Sequence, residues 1–479
     1  MNRRWMLSLV QGVVFSAPGY SQYATGISNG LPALNLNPAL SAHTPYTWQL
    51  QLLHGRVHAD NTFLQLEWPF SPYREALRNT ETEAPRWDEF GLRARLNGRS
   101  EQAGVSAGLS GPNFLLKAGP WQFGIIHSVV AAGRIKGLYE PLAYAAFREF
   151  DSADGAFDRF NMRNGGTTEA IPRMALNAHA WGGAGFHVSH LIPLDWNRSL
   201  AVGASWRRIW GFGGYGFNSS GMTITRLSAS DYRVGPSQHR LHEYRDIGRG
   251  SAVDIGAVYT FHKKPFRQPG GYKNRHPDYL LRVGMALLDI GKISYSAHTL
   301  REWNIAADAD WSTAGLIDRY DQGQIREPAP GDFPGYARSE GSAEIGLPTR
   351  LSVHADYQLK KHFFVQGQWI QSLRAAYGPH IRHGSWLMVS PRYEKNRFQI
   401  SLPAFLEYDY RSFRMGLAFR TGPFYAGTNS LGTLLAARQR RDAGMYFGIL
   451  IDNLPGSASS RRAAEAPRRE VEAVDCGAI

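Results

Sequence analysis

Apolar and polar positions alternate along most of this chain. Leu351, Val353, Ala355, Tyr357 and Leu359 are separated by Ser352, His354, Asp356 and Gln358. Phe413, Met415, Leu417 and Phe419 alternate with Arg414, Gly416, Ala418 and Arg420. The same rhythm runs through Trp48–Leu52, Val253–Phe261 and Ile400–Leu406. Successive side chains of a strand point to opposite faces, so each segment has one greasy face and one polar or small face. Further candidates lie near 102–110, 113–119, 121–131, 175–188, 199–210, 222–227, 280–288, 363–371, 384–393 and 443–452. Many reach the roughly nine to eleven residues that a tilted membrane-crossing strand needs.

Aromatic residues gather at the expected strand ends: Trp206 and Trp210, Phe212 and Tyr215, Trp386 and Tyr393, Tyr408 and Tyr410, Phe424 and Tyr425. Such clusters suit the girdles of a membrane barrel. A soluble sandwich or propeller also alternates, but it does not favour such long strands, and no blade-length repeat is visible. Closure follows from the solvent, because an open sheet edge in lipid leaves N–H and C=O groups unpaired. The expected fold is therefore all-β, an antiparallel transmembrane outer-membrane β-barrel over 46–453. Long polar connections at 67–100, 138–172, 216–250 and 294–346 are expected as loops on the outer side, with Tyr73–Arg78 as a short helix.

Composition narrows this picture. Hydrophobic residues are 43 % and mean hydropathy is −0.34. No apolar run reaches about 18 residues, which excludes a helical span but not a barrel. The net charge is +13, with Lys and Arg scattered rather than blocked. That disfavours nucleic acid and suits a cationic lumen, or contacts to the phosphates of outer-membrane lipid and lipopolysaccharide. The single cysteine, Cys476, leaves no internal disulfide and no thiolate cluster for a metal. Met1–Arg4 is a positive start and Trp5–Phe15 a short apolar core. With Gly19 and Ser21 at the −3 and −1 positions, residues 1–21 read as a cleaved signal peptide and the protein as exported to the cell outer membrane. After Pro455 the chain turns to Ser, Ala, Arg and Glu, so 454–479 is expected to be a disordered tail.

Several phrases resemble one group. These are Leu34–Ala39 with its Asn37-Pro38-Ala39, Ala59–Leu64, Gly111–Phe114, Arg282–Ile293, Leu347–Leu351 and Gly422–Gly432. In that order they resemble a Bacteroidota outer-membrane β-barrel family of unknown function. That family is similar to the long-chain fatty-acid transporter (FadL-like) barrels and to porin-like barrels of type IX secretion. The resemblance implies about 14 strands and an N-terminal segment, 22–45, that plugs the barrel through Asn37, Pro38 and Ala39. It implies no catalytic residues. From the residues alone, Leu34, Leu36 and Leu40 need an apolar partner, which a lumen supplies; an edge strand or a loop would also serve.

The chemical motifs weaken on inspection. Gly104–Gly108 matches the nucleophile elbow GxSxG, but lies in an alternating run rather than at a strand-to-helix turn. Gly211–Gly216 matches GxGxxG, but a turn rather than a helix is expected after it. His54 and His58 share a strand face about 13 Å apart, too far for one metal. His187 and His190 point opposite ways, and His239, His242 and Glu243 are expected in a loop. No cofactor, metal or enzyme activity is expected. Charges facing lipid cost about 2–4 kcal/mol for Arg or Lys, so Asp254, Arg282, His354, Asp356, Gln358, Arg414 and Arg420 are expected to face the lumen. Gln49, Gln51, Gln366 and Gln368 join them. They either pair and fill the barrel or line a path. Three functions follow in order of preference. The first is passage of a hydrophobic or amphipathic small molecule, for which Pro403 inside a spanning run would mark a bulge. The second is an assembly or secretion partner that binds proteins through the long loops, with Trp303 and Trp311 the place to look. The third is an outer-membrane lipid hydrolase.

Overall fold

The computed structural model describes residues 30–62, 64–66, 92–94, 101–138, 168–227, 231–263, 279–305, 309–312 and 336–453, the last without 376, 379, 396, 408, 411 and 432–441. Within them the chain closes into a barrel of fourteen antiparallel staves. In chain order these are β1 (Trp48–Asn61), β2 (Glu101–Ser110 and Asn113–Ala118), β3 (Trp121–Leu138), β4 (Thr168–Pro193) and β5 (Arg198–Arg226). Then come β6 (Ser237–Tyr244 and Gly248–His262), β7 (Tyr279–Ile305), β8 (Ala337–Gly346 and Arg350–Lys360), β9 (Phe363–Ser372) and β10 (Trp386–Lys395). The last are β11 (Phe398–Ser401 and Ala404–Glu407), β12 (Ser412–Met415 and Leu417–Thr421), β13 (Phe424–Thr428) and β14 (Asp442–Asn453). Each pairs with its chain neighbours, and β1 pairs with β14 from Trp48↔Asn453 to Asp60↔Asp442, so no edge is left open.

The barrel is inside out relative to a water-soluble domain. On β12, Phe413, Met415 and Phe419 are exposed while Arg414, Ala418 and Arg420 are buried. On β6, Ile255 and Phe261 face out while Asp254, Val258 and Thr260 face in. This is the arrangement lipid selects: backbone polar groups paired between strands, apolar side chains outside. Met285, 60 % exposed in the middle of the apolar stretch of β7, tests it. Met285→Arg should cost about 2–4 kcal/mol in urea unfolding from lipid vesicles, whereas Met285→Leu should be nearly neutral.

Three expectations change. Residues 216–250 and 294–346 are not wholly loops: β5 runs on to Arg226, β6 includes 237–244, and β7 and β8 pair from Ser294↔Glu344 to Glu302↔Ala337. Residues 337–342 are exposed, so both faces there meet water and the period-two apolar signal disappears. At about 3.3 Å per residue the 29 residues of β5 far exceed one crossing, and the hairpins stand beyond the membrane. For the same reason His239, His242 and Glu243 lie on a strand, and Gly211–Gly216 lies mid-strand. Trp303 is likewise on β7 and Trp311 within Ala309–Ser312. Finally, Trp386 and Tyr425, expected in the girdle, are buried on the inner face. Their parity puts them beside Met388 and Tyr446, not beside lipid. Residues 1–29, Tyr73–Arg78 and 454–479 with Cys476 fall outside the described residues.

Candidate functional site in the barrel lumen

The turns 119–120, 194–197, 361–362 and 422–423 mark one end of the barrel, which the connection 263–278 also leaves; the other long connections leave the opposite end. In outer-membrane barrels short turns are periplasmic and long loops extracellular. Two segments enter the lumen, one from each end.

From the short-turn end, Leu31–Asn35 and Pro38–His43 form two 3-10 turns, each with proline at its start. Asn37 caps the second, its side-chain oxygen accepting from Ala39 N at 2.9 Å. The same amide donates to the wall, to the carbonyls of Ala257 (3.0 Å) and Met285 (3.1 Å) on β6 and β7. Two glycines make this approach possible. A Cβ on Gly203 would lie 2.6 Å from Ala39 N and from the Pro38 carbonyl carbon, and one on Gly256 would collide with the Asn37 oxygen. Ser41 Oγ sits 2.7 Å from His187 Nε2 and 2.6 Å from Ser189 Oγ. Leu36, Leu40 and Ala42 pack with Leu191, Val258, Ile370, Trp386, Met388 and Phe405, an apolar cluster inside a largely polar lumen.

Charge networks lie to either side of it along the barrel. Arg207 Nη2 on β5 reaches both Asp254 oxygens at 2.9 and 3.0 Å and Asp289 Oδ1 at 2.7 Å; Arg350 holds Asp289 from the other side at 3.3 Å. Asp289 has φ 55° and sits at a bulge, where Leu288 and Asp289 lie between the Leu287↔Ile255 and Ile290↔Val253 pairs. On another wall Arg392 donates to Asp356 and Glu394, both at 2.9 Å, and to Gln366 at 3.3 Å; Tyr279 O–H donates to Asp356 at 2.6 Å. The Arg282 guanidinium lies 4.0 Å over the Tyr279 ring, and His354 is buried nearby on β8.

The sequence-derived candidates thus occupy several separate places. Asn37, Pro38 and Ala39 lie buried in the entering segment, and Asp254 lies in the Arg207 network. Arg282, His354 and Asp356 gather on the β7–β8 wall, with Gln366 and Gln368 paired opposite on β9. Gln358 bonds the Lys361 carbonyl at 3.1 Å, Arg414 pairs with Glu407 at 2.9 Å, and Arg420 pairs with Asp452. Gln49 accepts from Leu31 N, and Gln51 donates to Tyr425 O–H. Sequence reasoning missed Arg392 and Glu394, which the alternation Ser390, Arg392, Glu394 marks, and Arg207 and Asp289, which it does not. Ser106 of GxSxG is buried within a strand. Among the described residues no group of His, Cys, Asp or Glu is placed to share a metal.

From the long-loop end, 373–385 folds inward. Ile381 is buried against Trp181, Ile209, Tyr244 and Ile345. Arg374 donates to the carbonyls of Leu347 (2.8 Å) and Gly291 (3.1 Å). Asp409, in the turn after β11, holds the segment by accepting from Arg382 (2.9 and 3.2 Å), Ser385 N (3.1 Å) and Lys136 (3.0 Å). Burial alone would raise the Asp409 carboxyl; Arg382, with Ser385 N–H and Lys136, outweighs it and holds it below the usual carboxylate range. A depressed carboxyl stabilises above its unfolded value near 4 and loses that contribution as pH falls through the lower folded value. Hydrogen exchange over 377–385 should therefore show no loss of Asp409 stabilisation from pH 7 to about 5, and a loss below about 4. Asp409→Asn should speed it at neutral pH by roughly ten- to a hundredfold, the equivalent of about 1.5–3 kcal/mol for charged hydrogen bonds.

The wall is irregular where Pro403 was singled out. β11 breaks at Leu402–Pro403 and β12 at Gly416, and Gly416 N donates to Pro403 O at 2.7 Å across the break.

Residues 215–429 match a family model described as a family of unknown function (DUF5723). No curated protein matches the chain. Solved structures with a similar fold include the Pseudomonas putida toluene transporter TodX, at 10 % identity over 91 % of this chain and 97 % of that one, TM-score 0.42. A Pseudomonas aeruginosa FadL homologue is similar at 11 % identity over 91 % and 98 %, TM-score 0.38.

Proposed function

We propose that this barrel is a non-enzymatic, gated passage for hydrophobic or amphipathic small molecules across the outer membrane. One observation carries the reading: the N-terminal segment docks through apolar contacts, Leu31 and Leu34 against Leu115, Tyr425 and Leu450, and Leu36 and Leu40 against a patch of Ile370, Trp386, Met388 and Phe405, in a lumen that also carries ion pairs and glutamines. An apolar molecule can compete for that patch when the segment shifts. It cannot compete for surfaces already occupied by paired charges without unpairing them. The β11–β12 break lies beside Phe405, so the patch adjoins the place where the wall is least regular.

Native mass spectrometry of the full chain, extracted mildly from outer membranes, tests this. A fatty acid or other amphiphile bound at fixed stoichiometry, and lost in Phe405→Asp, is the expected result. Proteoliposomes that neither bind nor pass a hydrophobic fluorescent probe would refute it. A second reading, docking of a protein partner, is favoured by the tall hairpin of 294–302 with 337–344, whose strand 337–344 is mostly exposed; a protein recovered at fixed stoichiometry would support it.

A further inference from the structure

Between the 373–385 segment and the walls formed by β2, β3 and β4 lies an open cavity of about 600 Å³, its mouth included. The strand register builds its floor. Ser106, Ala132 and His179 form one cross-strand row over β2, β3 and β4, and Gly104, Arg134 and Asn177 form the next. All six line the cavity. Neighbouring strands stand about 4.8 Å apart, so the backbones at Ser106 and His179 are about 10 Å from one another, with only the methyl group of Ala132 between them. The charged groups at the rim already have protein partners. Arg134 donates to Gln102 at 3.1 Å, and Lys136 and Arg382 both hold Asp409.

The neutral hydrogen-bonding groups around that floor are left wanting. Ser106 Oγ and both ring nitrogens of His179 have no hydrogen-bond partner among the described residues, though Ser106 is 4 % and His179 5 % exposed. Asn177 Nδ2 donates to Gly378 O at 3.0 Å, which fixes the amide and leaves Oδ1 as a buried acceptor with nothing to accept. On the segment, His380 Nδ1 is also buried without a partner. Buried polar atoms are nearly always met by protein, water or ligand. This set mixes roles: a carbonyl oxygen only accepts, a hydroxyl does both, and a neutral imidazole donates from one nitrogen and accepts at the other. An anion would meet the Asn177 oxygen with like charge, and a hydrocarbon would leave every group unmatched. A ligand with several adjacent hydroxyls matches the set, because each hydroxyl donates once and also accepts. Its C–H face would rest on Gly104 and Ala132.

We propose that this cavity binds a neutral sugar residue, with Ser106, Asn177, His179 and His380 as its hydrogen-bond partners. It lies on the long-loop side of the lumen, apart from the apolar patch, and does not depend on the passage reading. The sugar belongs either to a free saccharide or to the saccharide chain of lipopolysaccharide.

The test uses the full chain folded in an oxyethylene detergent, whose head group carries no sugar. Calorimetry follows its titration with the methyl glycosides of glucose, galactose and mannose, and with the polysaccharide released from lipopolysaccharide by mild acid. One saturable site is expected, weakened about tenfold in Ser106→Ala, the worth of one buried hydrogen bond, and lost in Ala132→Leu, which fills the floor. Folding of each variant is read from its β-sheet circular dichroism. Binding of a methyl glycoside assigns a free saccharide; binding of the polysaccharide alone assigns lipopolysaccharide. No saturable binding of any of these probes to the folded wild type would mean that water alone fills the cavity, and overturns the proposal, as does equal affinity in wild type and both variants. Uptake of a hydrophobic probe by the same preparations reads the passage function separately.

Discussion

Arg392→Met should destabilise the barrel by about 3–5 kcal/mol, the usual cost of removing one member of a buried ion pair. Its side chain is 1 % exposed, and its two carboxylate partners, Asp356 and Glu394, are fully covered. With the guanidinium gone, both buried carboxylates lose the cation they share, and Tyr279 O–H remains as a donor to Asp356. The triple change Arg392→Met, Asp356→Leu, Glu394→Met should recover most of the loss, since an apolar set of similar volume avoids burying charge at all. Urea midpoints in lipid vesicles measure both. A single variant within about 1 kcal/mol of wild type would mean that water reaches this cluster. Destabilisation of the triple variant equal to that of the single one would mean instead that the network specifies the wall geometry.

The second large effect concerns the lumen. Gly203→Val should drive the N-terminal segment from its seat, because even a Cβ would lie 2.6 Å from the backbone at Pro38–Ala39, where no flexible side chain can give way. The overpacking costs about 1–3 kcal/mol if the segment stays, so release is the cheaper response. Residues 30–43 should then become sensitive to protease. Conductance across a planar bilayer should nevertheless stay low, because 373–385 folds into the lumen from the other end. Removing 375–384 in the same chain should open it, since a fourteen-stave barrel is wider than the eight-stave barrels that side chains alone fill. Full conductance from Gly203→Val alone would show that 373–385 does not seal.

Much of this was legible in the chain. Alternation marked β1, β6, β8, β11 and β12, because inner and outer faces contact different solvents there. Asp254, Arg282, His354 and Asp356 were found because a charge between apolar neighbours has one inexpensive direction to point. The hairpins above the membrane were not legible, because water on both faces removes the contrast. Asp289 was hidden because the bulge shifts the parity of its strand, so a two-residue period does not reach it. Arg382 and Asp409 meet through two separate turns, and no local pattern announces a contact between connections.

The seam between β1 and β14 has a consequence for how this molecule comes to exist. Its rungs join Trp48 to Asn453, the opposite limits of the described barrel, and the Asn37 bond to Met285 spans 248 residues. Contacts of such separation carry the largest loop-closure entropy and form last. Neither the wall nor its N-terminal filling can therefore be tested for fit while the chain is still emerging. A shortened chain lacking β14 should not make a smaller barrel but a sheet with two raw edges, and delivery to the membrane has to keep the whole polypeptide unfolded until its final stave is present.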